Sequence, residues 1–159
     1  MHQRAQEFSA RARDEYDFDP SVTEFPEGTR TAADAAAAVG CDVAHIASSI
    51  ALRAADDLVV CVTSGANRVD MTKVAGVHGV APDAVEMADP TAVRETLGWS
   101  IGGVPPFCHD RAVPVYLDET LTEYETVWAA AGTPEAVFPI DPDRLRELAG
   151  ATVVDLREE

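Results

Sequence analysis

The residues most suited to chemistry lie in one stretch, Gly98 to His109, which reads Gly-Trp-Ser-Ile-Gly-Gly-Val-Pro-Pro-Phe-Cys-His. Paired glycines before paired prolines exclude a regular helix or a central strand, so the stretch is a shaped loop. Gly102 and Gly103 have no Cβ and let a ligand reach their N–H groups, while Pro105 and Pro106 restrict the backbone beyond them. Backbone donors held this way suit an oxyanion or a phosphate. Cys108 and His109 set a thiol beside an imidazole, the components of an activated nucleophile. Adjacent residues of an extended segment point to opposite faces, however, which favours two unconnected side chains.

Other chemistries find no support in the spacing. His2, His45 and His78 form no metal motif, and Cys41, Cys61 and Cys108 are too far apart for paired zinc ligands. The expectation is no metal, no cofactor and no disulfide, with three free thiols in a reducing compartment. Ser64-Gly65 reads as a turn rather than a nucleophile elbow, since Gly-x-Ser-x-Gly is missing. Walker and dinucleotide fingerprints are also missing.

The elements that must hold the loop are legible from caps and periodicity. A helix is expected over 5–16, followed by a turn-rich connection through Asp19-Pro20 and Pro26-Glu27-Gly28. Thr31 and Asp34 form a capping box for a helix over 32–39, stopped by Gly40. Two apolar β-branched runs, 46–54 and 58–63, flank Asp56-Asp57 as a hairpin. Asp70 caps a helix over 71–78 before Gly79, and Asp89-Pro90 starts one over 91–97 before Gly98. Strands are expected over 113–117, 126–130, 136–140 and 152–156, with a helix opened by Asp141-Pro142 through Leu148. Unequal spacing without a regular βαβ rhythm predicts an α+β domain around a curved mixed sheet.

Composition sets the outer limits. A chain of 159 residues is one domain's worth, and no apolar run is long enough to span a bilayer. Residues Met1 to Glu7 lack the apolar core of a signal peptide, which predicts a cytoplasmic protein. The net charge is −16, and Lys73 is the only lysine. Such a field repels nucleic acid at low ionic strength. At about 1 M salt the repulsion is screened within about 3 Å, and acidic excess with almost no lysine fits the cytoplasm of a salt-accumulating organism.

The Gly98–His109 stretch, together with Ala88-Asp89-Pro90, Pro114-Val115-Tyr116-Leu117-Asp118 and Ala130-Ala131-Gly132, resembles the YbaK/EbsC family of aminoacyl-tRNA deacylases. The resemblance runs from about Thr31 to Leu156. It divides the chain into an N-terminal helix and connection, 1–30, and a single globular editing domain, 31–159. It implies a small mixed β-barrel with helices outside and hydrolysis of the ester between a mischarged amino acid and tRNA. The implied partners are the aminoacyl-tRNA 3′ end and a synthetase, with neither membrane nor DNA.

In this resemblance Gly102, Gly103 and Ser48 are the catalytic positions. Ser49, Phe25, Ala130, Ala131 and Gly132 contact substrate, with Ala130 and Ala131 limiting the size of the amino acid. Two positions depart from the family pattern. Ser48 stands where editing members carry a lysine, and Val137 where some have an aspartate. A neutral hydrogen bond replaces a charged one at Ser48, a loss on the order of tenfold in rate or binding. The alternative reading is therefore a catalytically weakened protein that binds an aminoacyl-adenosine or a synthetase.

Overall fold

The computed structural model describes residues 2–25 and 31–158, so the turn expected at Pro26, Glu27 and Gly28 lies outside the described residues. Helix ends follow the local chemistry of the sequence. In α2 (Ala32–Val39) the Thr31 hydroxyl accepts from Asp34 N–H. Asp70, Asp89 and Asp141 cap α3 (Met71–His78), α4 (Pro90–Leu97) and α5 (Pro142–Ala149) by accepting from backbone N–H groups of the first turn. All four helices end on a glycine in the left-handed conformation, Gly40, Gly79, Gly98 and Gly150. The first helix, α1 (Gln3–Tyr16), ends instead on Asp17 at φ 53°.

Eight strands form one mixed sheet among the described residues: β1 (Thr23–Glu24), β2 (Ile46–Ala54), β3 (Asp57–Ser64), β4 (Val85–Met87), β5 (Val115–Asp118), β6 (Val127–Ala130), β7 (Ala136–Ile140) and β8 (Thr152–Val154). Their order is β1-β7-β6-β2-β3-β5-β8, with β4 added on β2. The expected α+β architecture is therefore present as a mixed sheet that does not close into a barrel, since no pairing joins β1 to β8. The hairpin of β2 and β3 turns at Ala55-Asp56, with Ala55 at φ 55°, one residue earlier than the sequence suggested. Strands β1 and β4 were not expected, because two or three residues are too few to show a period of two.

Alternation along the hairpin sorts the core into faces. Ala47, Ala51, Val60 and Val62 join the main cluster with Phe8, Val93, Leu97 and Leu145 of α1, α4 and α5. Leu52, Ala54, Val59 and Cys61 face the other way, against Val74 and Ala75 of α3. A third cluster joins Ile46 and Val137 to Phe25 and to Ala35 and Ala36 of α2. Helices thus cover both faces, and α1 belongs to the main core: the Phe8 ring lies 4.9 Å from Phe138, 5.6 Å from Phe107 and 6.3 Å from Trp99 between centroids. Replacing Phe8 with alanine is expected to cost about 3–5 kcal/mol, read as a lower urea midpoint, because three aromatic neighbours lose their partner together.

Candidate active site

The site begins as a discontinuity in pairing. Along one edge, β2 pairs with β3 for its whole length, Ala47↔Ser64 to Ala54↔Asp57. Along the other, β6 runs parallel beside Ile46 and Ala47, and β4 runs antiparallel beside Leu52 to Ala54. Between them, among the described residues, no strand pairs with β2 on that edge. The gap opens into a cavity of about 210 Å³, lined by residues 46–51 of β2, by Ala130 and Val137 of β6 and β7, and by Thr31, Ala32 and Ala35 at the start of α2. Met87, Ile101, Gly102, Val104 and Pro134 complete it, and Met87 and Ile101 are exposed at its rim.

The glycine-proline loop forms one wall of this cavity. Gly103 N–H donates to the Ser100 carbonyl at 3.0 Å, closing a β-turn whose third residue, Gly102, has φ 90°. A positive φ at that turn position is what glycine tolerates. Trp99 Nε1–H donates to the Cys108 carbonyl at 2.9 Å and ties the base of the loop.

The structure separates the expected site residues into two groups. Ser48, Ser49, Gly102 and Ala130 line the cavity together. Gly103, Ala131, Gly132 and Phe25 lie behind the lining. The Gly103 amide, expected to face a ligand, is already spent on Ser100, and a Cβ there would meet Thr133 Cα at 2.7 Å. Gly132 is glycine because a Cβ would sit 2.7 Å from both the Arg4 carbonyl and the Trp99 ring. Ala131 is fully buried with its N–H on the Ala136 carbonyl. Phe25 packs with Ala35, Ile46 and Val137 and so supports the lining from outside.

Electrostatically the cavity is neutral: among the described residues, no ionisable side chain lines it. Ser48 and Val137, the two positions where the resemblance expects a lysine and an aspartate, are both lining residues. The hydroxyl of Ser49 is buried and has no hydrogen-bond partner among the described residues. Met87, at the end of the unexpected β4, and Ile101 are cavity residues that the sequence did not single out. Only a hairpin partner for β4 would have revealed the first.

The Cys108-His109 pair does not form a nucleophile. Burial pushes the Cys108 thiol up to about 12, and Cys108 sits at φ 67°. His109 Nε2–H donates to the Pro105 carbonyl at 2.8 Å, and burial holds the imidazole below its usual pKa, hence neutral. Asp118 caps the turn at Glu119–Glu123 and also accepts from Asn67 Nδ2 at 3.3 Å, a structural role outside the cavity. Among the described residues no cluster of three or more His, Cys, Asp or Glu side chains is placed to hold a metal. Nor is any helix long and apolar enough to cross a membrane.

Residues 26–148 match the aminoacyl-tRNA editing domain, and the chain belongs to that family. The uncharacterized protein YwhH of Bacillus subtilis (strain 168) is 32% identical over 133 residues, 83% of each chain. A solved structure described as a candidate trans-editing enzyme for prolyl tRNA synthetase is 38% identical, with TM-score 0.89 over 100% of this chain and 99% of that one. A chain from work on computational epitope grafting onto scaffold proteins is 37% identical, with TM-score 0.93 over 100% and 99%. The mixed α/β fold thus rests on structural matches spanning the chain, and the editing-domain assignment on residues 26–148.

Alkylation with iodoacetamide at pH 8 is expected to label Cys41 alone in the native protein. Cys61 and Cys108, both with thiols pushed up to about 12, should react only after denaturation. Mass spectrometry of the labelled peptides checks this.

Proposed function

We propose that this protein hydrolyses the ester joining a mischarged amino acid to the 3′ end of tRNA. The observation that carries the reading is the neutral cavity at the β2 edge, in a chain of the editing-domain family. The proposed chemistry uses neither a covalent intermediate nor a protein general base, in keeping with a cavity that no ionisable side chain lines among the described residues. Catalysis falls to positioning and to backbone dipoles.

Water adds to the ester carbonyl, the bond to the ribose 3′ oxygen breaks, and that oxygen takes the proton. The terminal ribose hydroxyl of the substrate orients the water. Gly102 is the loop amide that supports the developing oxyanion, since Gly103 is committed to its turn. Ser48 and Ser49 position the adenosine or the ester. Ala130 limits the amino acid directly, and Ala131 does so by fixing the wall behind it. In an apolar pocket one methylene is worth about 1–3 kcal/mol of discrimination. The proposed setting is a salt-rich cytoplasm, and the proposed partners are the aminoacyl-tRNA 3′ end and a synthetase.

A second reading has its own support: among the described residues no cation lines the cavity, and Ser48 stands where the resemblance expects a lysine, which favours a binder that has lost turnover. Deacylation of a panel of mischarged tRNAs in molar salt separates the two. The deacylase reading expects release above buffer for at least one amino acid and a rise of about tenfold for Ser48→Lys. A silent parent switched on by Ser48→Lys establishes the binder, and silence in both proteins ends the deacylase reading.

A further inference from the structure

Alternate residues of a strand direct their N–H and C=O to opposite edges. Two backbone hydrogen bonds fix which residues of β2 face which way. The Ile46 carbonyl accepts from Gly65 N–H at 2.8 Å, on the hairpin side of β2, and the Ala51 carbonyl accepts from Ala88 N–H at 3.2 Å, on the side of β4. Ala47, Ser49 and Ala51 therefore aim their main-chain groups away from β3. Ala47 is taken by β6, and the Ala51 carbonyl by Ala88. Ser49 falls in the gap, where both its N–H and its C=O face the cavity with no strand opposite.

The side chain of the same residue repeats the pattern, since the buried Ser49 Oγ also lacks a partner among the described residues. Buried polar groups are nearly always paired, and leaving one unpaired costs about 1–3 kcal/mol. Among the described residues, one cavity residue thus brings together a hydroxyl without a partner and a main-chain N–H and C=O with no strand opposite, which marks a place completed by a guest.

The chemistry of that guest follows from the geometry of an antiparallel pair. Two residues opposite one another exchange two bonds, each giving its N–H to the other's C=O. An α-aminoacyl group has the same two functions on the same carbon, an amine that donates and a carbonyl that accepts. The geometry points to Ser49 as the docking residue for the aminoacyl group, which pairs with its main chain as a one-residue strand in the gap of the sheet. The ammonium donates to the Ser49 carbonyl, and Ser49 N–H donates to the acyl carbonyl. This inference rests on the proposed reading of the cavity as an aminoacyl site, and it assigns to Ser49 N–H the donor role that Gly103 does not fill. It makes the free α-amino group a recognition element, whatever the side chain of the amino acid.

The test uses the full chain and a stable amide, 3′-alanylamino-3′-deoxyadenosine, with its des-amino propionyl counterpart. At saturation the alanyl compound should slow hydrogen exchange of the Ser49 amide at least tenfold by NMR. The propionyl compound, lacking the charged donor, should bind at least tenfold more weakly. The Ser49→Ala protein should keep the same protection at position 49, because the pairing uses main-chain groups. The inference is overturned if the Ser49 amide is unaffected at saturation, if the two compounds bind equally, if neither binds, or if Ser49→Ala binds but loses the protection. Protection of Ser49 in a protein that deacylates nothing would end the hydrolase reading and leave the pairing intact.

Discussion

The arrangement of this molecule depends on one length of strand edge that no described strand pairs. Strand β2 pairs fully with β3, but its opposite edge is shared by β6 at one end and β4 at the other, and the two do not meet. Inside a folded domain an unpaired stretch of strand is costly, so the surrounding elements are organised around it. The start of α2, the 98–109 loop and the turn at Pro134 border the gap without filling it, and a cavity results. A strand long enough to bridge from β6 to β4 would complete the sheet and abolish the site.

What was legible in the sequence was local. Thr31, Asp70, Asp89 and Asp141 mark helix starts, and Gly40, Gly79, Gly98 and Gly150 mark stops, because caps depend on residues a few positions apart. The β2–β3 hairpin was legible for the same reason, with its turn displaced by one residue to Ala55-Asp56. The gap was not legible, since it depends on where β4 and β6, distant in the chain, stop along β2. Of the candidate site residues, Ser48, Ser49, Gly102 and Ala130 converge on the cavity; Gly102 was legible from the glycine-proline pattern of its loop, the other three only through a family resemblance.

Glycine composition alone did not reveal what each glycine is for. Gly102 and Gly103 read identically in the sequence, yet one provides a positive φ and borders the cavity while the other closes a turn and lets two backbones touch. Gly132 yields to the close approach of Arg4 and Trp99, so it reports on how tightly α1 is seated. The Arg4 guanidinium lies 4.2 Å from the Trp99 ring centroid and also donates to the Gly98 carbonyl, linking the first turn of α1 to the base of the loop.

That link bears on how the cavity wall behaves in use. Trp99 is anchored to the Cys108 carbonyl on one side and packed against α1 on the other, so the loop cannot swing outward without lifting a helix from the core. In the proposed reading, selection is then made by an unyielding sieve rather than by a closing lid. Such a sieve turns away an acyl group that is too large by steric collision, but it has little means of refusing one that is too small. Discrimination at the lower end of the size range must come from outside this chain.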